Sequence, residues 1–296
     1  MKLYAPRYYR DCKCIADRCE HSCCTGWEID IDEATLKRYQ GLKGGYGETV
    51  KGSIDMEDMP HFTLKEGDRC PHLDDRGLCR IILHLGEDYL CDICREHPRF
   101  YNYTEVAEVG IGMSCPEAAR VILSSPDYDK LEEIGEVAAE GYDLLFDARK
   151  ERESIYKMLE GEYNTALEKI HSTYGIEMGE DALWQQRLLG LEYLEESHKA
   201  LFGCYSSKAR PQGKDLYLKR FLAYLIYRHC TEAEDREDFG ARLGFCLFCQ
   251  RLLCSLIVCK EAETLEEIAD LARIISEEIE YSDDNTYDLT YESYET

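Results

Sequence analysis

Positive charge is what this sequence has least of. It carries 35 Lys and Arg against 60 Asp and Glu, a net charge of −25. A protein that tracks a nucleic-acid backbone needs a basic face, so nucleic acid is excluded as a partner class. Anionic membrane surfaces are disfavoured for the same reason. A cationic partner, such as a lysine-bearing protein, is electrostatically compatible. The deficit is uneven. Residues 1–125 hold 16 basic and 22 acidic groups, a net of −6, and residues 126–296 hold 19 and 38, a net of −19.

An apolar run at the start is also missing. The opening MKLYAPRYYRDCKC has neither the hydrophobic stretch nor the small-residue cleavage site of a secretory signal. A cytoplasmic location is therefore expected, in a reducing environment where structural disulfides are rare. The most apolar stretch, Leu243–Cys259, is 17 residues long and contains Gln250 and Arg251. It falls short of a membrane span and reads as a buried core helix.

What the chain does have is cysteine, 16 in all, unevenly placed. Ten lie in the first 115 residues: Cys12, Cys14, Cys19, Cys23, Cys24, Cys70, Cys79, Cys91, Cys94 and Cys115. In a reducing compartment such a density points to metal or cluster binding. Cys91-x2-Cys94 lets two thiolates reach one ion from a single turn. Cys115, directly before Pro116, opens a predicted helix, where the dipole favours thiolate over thiol. Cys23 and Cys24 are neighbours whose side chains diverge in an extended chain, so one of them reads as structural. Thiolate sites suit zinc or iron–sulfur. The paired spacing of common zinc fingers, the ferredoxin runs and Cys-x3-Cys-x2-Cys are all absent, so spacing leaves both metals open. Of the later six, Cys246, Cys249, Cys254 and Cys259 sit among Phe245, Phe248, Leu252, Leu253 and Ile257 and read as core filling.

The expected fold is mainly α. A small, irregular α+β, cysteine-rich, metal-binding N-terminal part covers 1–125, a helical domain covers 126–280, and an acidic tail, loosely ordered or docking late, covers 281–296. In the first part, Trp27–Ile31 alternates like a short strand. Asp32 suits the N-cap of a helix over 33–40. Asp74-Asp75-Arg76-Gly77 reads as a turn. Residues 79–85 and 89–96 read as short helices. Residues 99–103 and 106–111 read as a hairpin, and Pro116 starts a helix through Leu123. In the second part, one helical stripe runs through Leu131, Ile134, Ala138, Leu145 and Ala148. Another runs through Ile155, Leu159, Tyr163, Leu167 and Ile170. Further helices are expected at 182–202, 215–230, 238–259 and 264–280, the last with a Thr264/Glu267 capping box.

Four blocks carry a resemblance: KLYAPRYYRDCKCIADRCEHSCCTGWEIDID, RCPHLDDRGLCRIIL, GEDYLCDICREHPRF and EVGIGMSCPEAARVIL. They resemble the flagellin lysine-N-methylase family, which belongs to a wider group of cysteine-rich, zinc- or iron-chelating proteins. The resemblance implies methyl transfer from S-adenosylmethionine to lysine amines of flagellin, together with a [4Fe–4S] cluster. It implies four cluster ligands among Cys14, Cys19, Cys23, Cys24, Cys70, Cys79, Cys91, Cys94 and Cys115, with Cys12 excluded. Rival readings are a zinc-stabilised binding protein without catalysis, and an iron–sulfur redox or metal-handling protein.

Lysine methylation by direct displacement needs a neutral amine, whereas free lysine has a pKa of about 10.4. A base or an apolar pocket must supply it. Catalytic candidates are Glu28, His97 and Tyr101. The donor's sulfonium is cationic and suits aromatic faces and carboxylates, which makes Trp27, Asp30 and Tyr103 cofactor-binding candidates. Each has a plainer reading: Trp27 as a core anchor, Glu28 and Asp30 as the solvated face of a strand, His97 as a helix cap. His61, His72 and His84 read as structural or surface residues. No Gly-x-Gly-x-x-Gly opens a helix after a strand, and Gly110-Ile111-Gly112 is too short a match, so no Rossmann-type methyltransferase domain is expected.

Overall fold

The computed structural model describes residues 1–139, 141 and 146–291. It is mainly helical, with a small, irregular cysteine-rich part bearing short strands and a long helical C-terminal half. It divides into two compact units. The smaller is Cys14–Pro98, and the larger comprises the described residues of Met1–Lys13 and Arg99–Thr296. The expected division at residue 125 does not coincide with these boundaries. Strand β1 (Lys2–Pro6) opens the chain and belongs to the larger unit.

In the smaller unit, helix α1 (Glu33–Gln40) forms where its cap predicts, with the Asp32 carboxylate accepting Thr35 N–H at 2.8 Å. The other Asp32 oxygen accepts Asp92 N–H at 2.9 Å. Helix α2 (Tyr46–Lys51), the two-residue pair β2 (Ile54–Asp55) and β3 (His61–Phe62), and helices α3 (Arg80–Leu85) and α4 (Asp92–Glu96) complete the unit. Trp27–Ile31 is not a regular strand; only Asp30 bridges to His61. Its alternation holds nonetheless, with Ile29 and Ile31 buried and Glu28 and Asp30 exposed. The 89–96 helix starts later than expected, at Asp92. Buried His72 takes hydrogen bonds with Tyr46 Oη (2.6 Å) and Ser53 Oγ (2.9 Å), which fits its structural reading.

The larger unit has a four-stranded sheet, ordered β4-β5-β1-β6, beside a helical core. Strands β4 (Arg99–Tyr103) and β5 (Ala107–Ile111) form the expected hairpin, and β1 lies parallel to β5. Residues 131–136 are not helical. They form β6 (Leu131–Glu136), antiparallel to β1. Leu131 and Ile134 are spaced like a helical stripe, but the free edge of β1 supplies backbone partners that a local helix would forgo. Leu145 of that stripe lies outside the described residues.

Helix α5 (Pro116–Ser124) begins at Pro116. The second stripe is broken at 160–162 into α6 (Ala148–Leu159) and α7 (Tyr163–Tyr174), where the Glu162 carboxylate caps the new helix through Thr165 N–H at 2.7 Å. The expected 182–202 helix is likewise two, α8 (Asp181–Gly190) and α9 (Glu196–Phe202). Helices α10 (Asp215–His229) and α11 (Arg236–Lys260) match expectation. Among the described residues, α11 is the one helix apolar and long enough to cross a membrane, yet 78% of its most apolar window is buried within the protein. Helix α12 (Leu265–Ile275) carries the capping box and runs into a wider π-type turn at Ser276–Glu280. The start of the expected loose tail is ordered as α13 (Asp283–Thr290). Ser282 caps it and buried Asn285 bonds Glu192 O and Glu278 O, both at 2.7 Å. Residues 292–296 of that tail lie outside the described residues.

Candidate thiol centre

One long-range backbone bond and the turns that follow it gather five cysteines of the smaller unit. Cys70 N–H donates to Cys24 O at 2.8 Å, so these two residues, 46 positions apart in sequence, sit side by side. Asp74 then reverses the chain. Its Oδ1 accepts Arg76 N–H and Leu78 N–H, both at 2.9 Å, and Gly77 takes the positive φ (77°) the turn requires. Leu73 pairs with Cys79, which returns Cys79 beside the Cys70 segment. Cys79 precedes α3, Cys91 precedes α4, and Cys94 lies inside the first turn of α4. Cys24, Cys70, Cys79, Cys91 and Cys94 all pack in one small core with Ile29, Ile31, Tyr39, Phe62, Leu73 and Ile81.

These thiols sense one another. Cys94 hydrogen-bonds Cys91, which raises Cys94 and lowers Cys91, and the charges of Cys24 and Cys70 raise Cys94 further. Burial pushes Cys70 up to about 12, and Cys79 also upward. Cys24 is drawn down to about 7, first by its hydrogen bond with Cys23, then by Ser22 and Arg69. Tyr39 is buried, donates to Tyr89 O at 2.6 Å, and is held protonated by burial and by Cys91, Cys94 and Cys79. Five neighbouring thiols cannot all ionise in this core unless a cation balances them.

The remaining candidates divide. Cys14 and Cys23 are exposed, and Cys19 Sγ donates to His21 O at 2.9 Å. Of the adjacent pair Cys23 and Cys24, Cys23 is exposed and Cys24 is half-buried against the small core. Cys115 caps α5 in the larger unit, where it and Cys12 pack against the helical core. None of the sixteen cysteines, all among the described residues, is in a disulfide. Among the described residues no three His, Cys, Asp or Glu side chains already converge as a metal site. The donor set nevertheless suits a soft metal: five thiols, buried or half-buried, on chain turns rather than one rigid element.

Trp27 lies three residues after Cys24 of this centre. Its Nε1–H donates to Cys23 O at 2.8 Å, and its ring lies 6.3 Å from that of His97, tilted by 37°. His97 is the C-cap of α4, as its plainer reading holds. Glu28 is exposed, 3.6 Å from His61 Nε2, and Asp30 is exposed. Tyr101 and Tyr103 stack with centroids 6.1 Å apart, on β4 in the larger unit. Among the late cysteines, Cys230, Cys246, Cys249 and Cys254 are core filling, but Cys259 is exposed near the end of α11.

Two functional-looking groups escaped the sequence. Glu108, fully buried on β5, accepts both guanidinium nitrogens of Arg152 at 2.7 Å, with Arg149 at 3.1 Å. Glu280 takes His229 Nε2 at 2.7 Å and Tyr224 Oη at 2.9 Å. Glu108 alone left a trace, as a charged residue in an otherwise apolar strand.

The chain is 28% identical over 142 residues to lysine-N-methylases of Salmonella choleraesuis (strain SC-B67) and Salmonella typhimurium (strain LT2), a match covering 43% of this chain and 34% of each relative. It is 29% identical over 130 residues to the flagellar biosynthetic protein FliU of Salmonella muenchen, covering 41% of this chain and 77% of that protein. The match thus spans about a third of the length of the curated methylases. This distant similarity links the chain to a flagellum-related group of proteins. No protein-family profile matches it, and no solved structure matches it.

Proposed function

We propose that this chain is a cytoplasmic protein-lysine N-methyltransferase that takes its methyl group from S-adenosylmethionine and acts on flagellin. In this reading four of Cys24, Cys70, Cys79, Cys91 and Cys94 hold a [4Fe–4S] cluster. The single observation that carries it is the packing of these five thiols in one core, in a chain similar to lysine-N-methylases.

The cluster, when bound, would supply a soft Lewis-acid centre able to exchange single electrons. The rest falls to side chains. Binding takes protons from the coordinating thiols. The Trp27 ring offers a face for the donor's sulfonium, with His97 beside it and the exposed Glu28 and Asp30 carboxylates near in sequence. His97 or Glu28 takes the proton from the incoming ammonium. Tyr101 and Tyr103 are the aromatic candidates of the larger unit. The net charge of −25 favours encounter with a lysine-bearing surface.

The test is co-expression with flagellin and mass analysis of its lysines, using protein purified without oxygen. Methyl mass on flagellin lysines, dependent on the donor, is the expected result. Flagellin unchanged beside iron- and sulfide-loaded protein would sink the methylase reading. Zinc in place of iron and sulfide would favour a zinc-stabilised binding protein.

A further inference from the structure

The helical unit holds a second meeting of thiols, at its surface. Cys259 is the penultimate residue of α11 and is exposed; Cys204 follows α9 and is half-buried. Cys204 Sγ lies 3.9 Å from Ser255 O, the helix carbonyl one turn before Cys259, which brings the two cysteines to the same end of α11. The loop bearing Cys204 is fixed to α11 at that turn. Ser206 N–H donates to Ser255 Oγ at 3.0 Å, and Ser255 Oγ donates to Ser206 O at 3.1 Å. Ser255 and Cys259 are four residues apart on one helix and share a face. The serine clasp and the Cys204 contact are therefore one seam between the loop and α11. Cys230 and Cys246 make a contrasting pair: their sulfurs are 3.8 Å apart, but both are buried and closed to reagents.

We propose that Cys204 and Cys259 form a thiol–disulfide exchange site whose substrate is a low-molecular-weight disulfide, with Cys259 as the entry thiol and Cys204 as the resolving thiol. The exposed Cys259 thiolate attacks one sulfur of the small disulfide. A mixed disulfide forms on Cys259, and one small thiolate leaves and takes up a proton. Cys204 then attacks the Cys259 sulfur. The Cys204–Cys259 bond forms, a second small thiol leaves, and the Cys204 proton goes with it. Two protein thiols are oxidised and one small disulfide is reduced to two thiols. Exposure sets the order, and burial, with the neighbouring Cys259, raises Cys204 to about 12, which makes it a poor first nucleophile. An accessible thiol beside a resolving partner is the arrangement of redox-responsive cysteines. The bond would tie the end of α11 to the loop after α9. Leu201 and Lys260, close in sequence to the two cysteines, line a cavity of about 370 Å³ with Ser197 and His198, so oxidation would fix one wall of that space.

The test incubates the full chain in mixtures of reduced and oxidised glutathione, quenches with an alkylating agent, and counts linked peptides by mass spectrometry. The expected result is a Cys204–Cys259 peptide in about tenfold excess over the glutathione adduct of Cys259. In Cys204→Ser the adduct should accumulate instead, and in Cys259→Ser the Cys204 thiol should stay reduced. A Cys259 adduct that persists unresolved in the parent protein overturns the assignment, as does reduction of both thiols at ratios that oxidise an unstructured dithiol peptide. Should either variant fail to fold, the parent protein with and without urea decides. The linked yield must fall when the seam is unfolded, and an unchanged yield rejects a built site.

Discussion

Asp32 holds the starts of two helices with one carboxylate, Oδ1 accepting Thr35 N–H at 2.8 Å and Oδ2 accepting Asp92 N–H at 2.9 Å. The second bond bears on the thiol centre, because Asp92 stands between Cys91 and the rest of α4. Asp32→Ala removes both acceptors, and loss of an N-cap alone costs about 1 kcal/mol. Asp32→Asn keeps one oxygen and should cost less. Trp27 and Trp184 are the only tryptophans, one in each unit. In a Trp184→Phe background, Trp27 fluorescence during urea unfolding therefore reports the smaller unit. The expected order of midpoints is parent, Asn, Ala.

The thiol centre separates its five members from the other early cysteines. Serine at Cys24, Cys70, Cys79, Cys91 or Cys94 should lower iron and acid-labile sulfide in anaerobically purified protein, with one of the five spared if a single cluster takes four. Serine at exposed Cys14 should leave both unchanged. Iron lost with Cys14→Ser but retained with Cys91→Ser and Cys94→Ser would move the cluster out of this core.

Much of this was legible because its signals are local. The Asp32 cap, the Asp74–Gly77 turn and the Thr264/Glu267 capping box each lie within four residues, and α10 and α11 are long enough to declare themselves. What stayed hidden is non-local. Nothing near Leu131 announces that β1 needs a partner on that edge. The apolar period runs unbroken across 160–162, so the break set by Glu162 is invisible to it. The tail looked loose because its acidic residues and tyrosines give no apolar stripe, yet Asn285 anchors it with bonds to Glu192 and Glu278, which are distant or buried in the preceding turn. The same limit applied to the site. The family resemblance names nine cysteines, but the pairing of Cys70 with Cys24 that begins to sort them is a contact across the chain.

His198 gives the larger unit a pH dependence. Its Nδ1 lies 2.5 Å from Glu278 Oε1, and Glu278 also accepts the backbone N–H groups of Leu194 (2.8 Å) and Glu195 (3.2 Å). The hydrogen bond to Glu278 raises the His198 pKa above its ordinary value of 6.5, against burial and with help from Glu195 and Glu277. A raised folded-state pKa means the folded form binds the proton more tightly than the unfolded chain. The contribution is therefore complete below pH 6.5 and is lost as pH rises through the folded-state value. Urea midpoints read by Trp184 fluorescence in a Trp27→Phe background should fall over that window. His198→Gln should flatten the fall, and a parent-like slope in the variant would assign it elsewhere.

Glu108 and Arg152 are the sharpest test of packing in the larger unit. Both side chains are essentially without solvent, at 0% and 2% exposure, and they meet in a bidentate pair reinforced by Arg149 and by Thr231 Oγ1 at 2.6 Å from Arg152. The Arg152 guanidinium also lies over the Tyr227 ring at 4.9 Å. Because Glu108 is on β5 and Arg152 is on α6, the pair joins sheet to helices. Breaking a buried pair leaves one charge without its counterion, which typically costs about 3–5 kcal/mol, whereas replacing both partners with apolar residues of similar volume is often close to neutral. Glu108→Gln should therefore lower stability by an amount near the lower end of that range, since glutamine still accepts one hydrogen bond and Arg149 remains nearby. Arg152→Met alone should be comparably harmful, because it leaves Glu108 buried with only Arg149 to balance it. Combined as Glu108→Leu with Arg152→Met, the loss should be smaller than the sum of the losses of Glu108→Leu and Arg152→Met made singly. A double-mutant cycle in urea, read by Trp184 fluorescence, measures that difference directly. Strict additivity would mean that the two side chains contribute separately and that the sheet is held to α6 by apolar contacts alone.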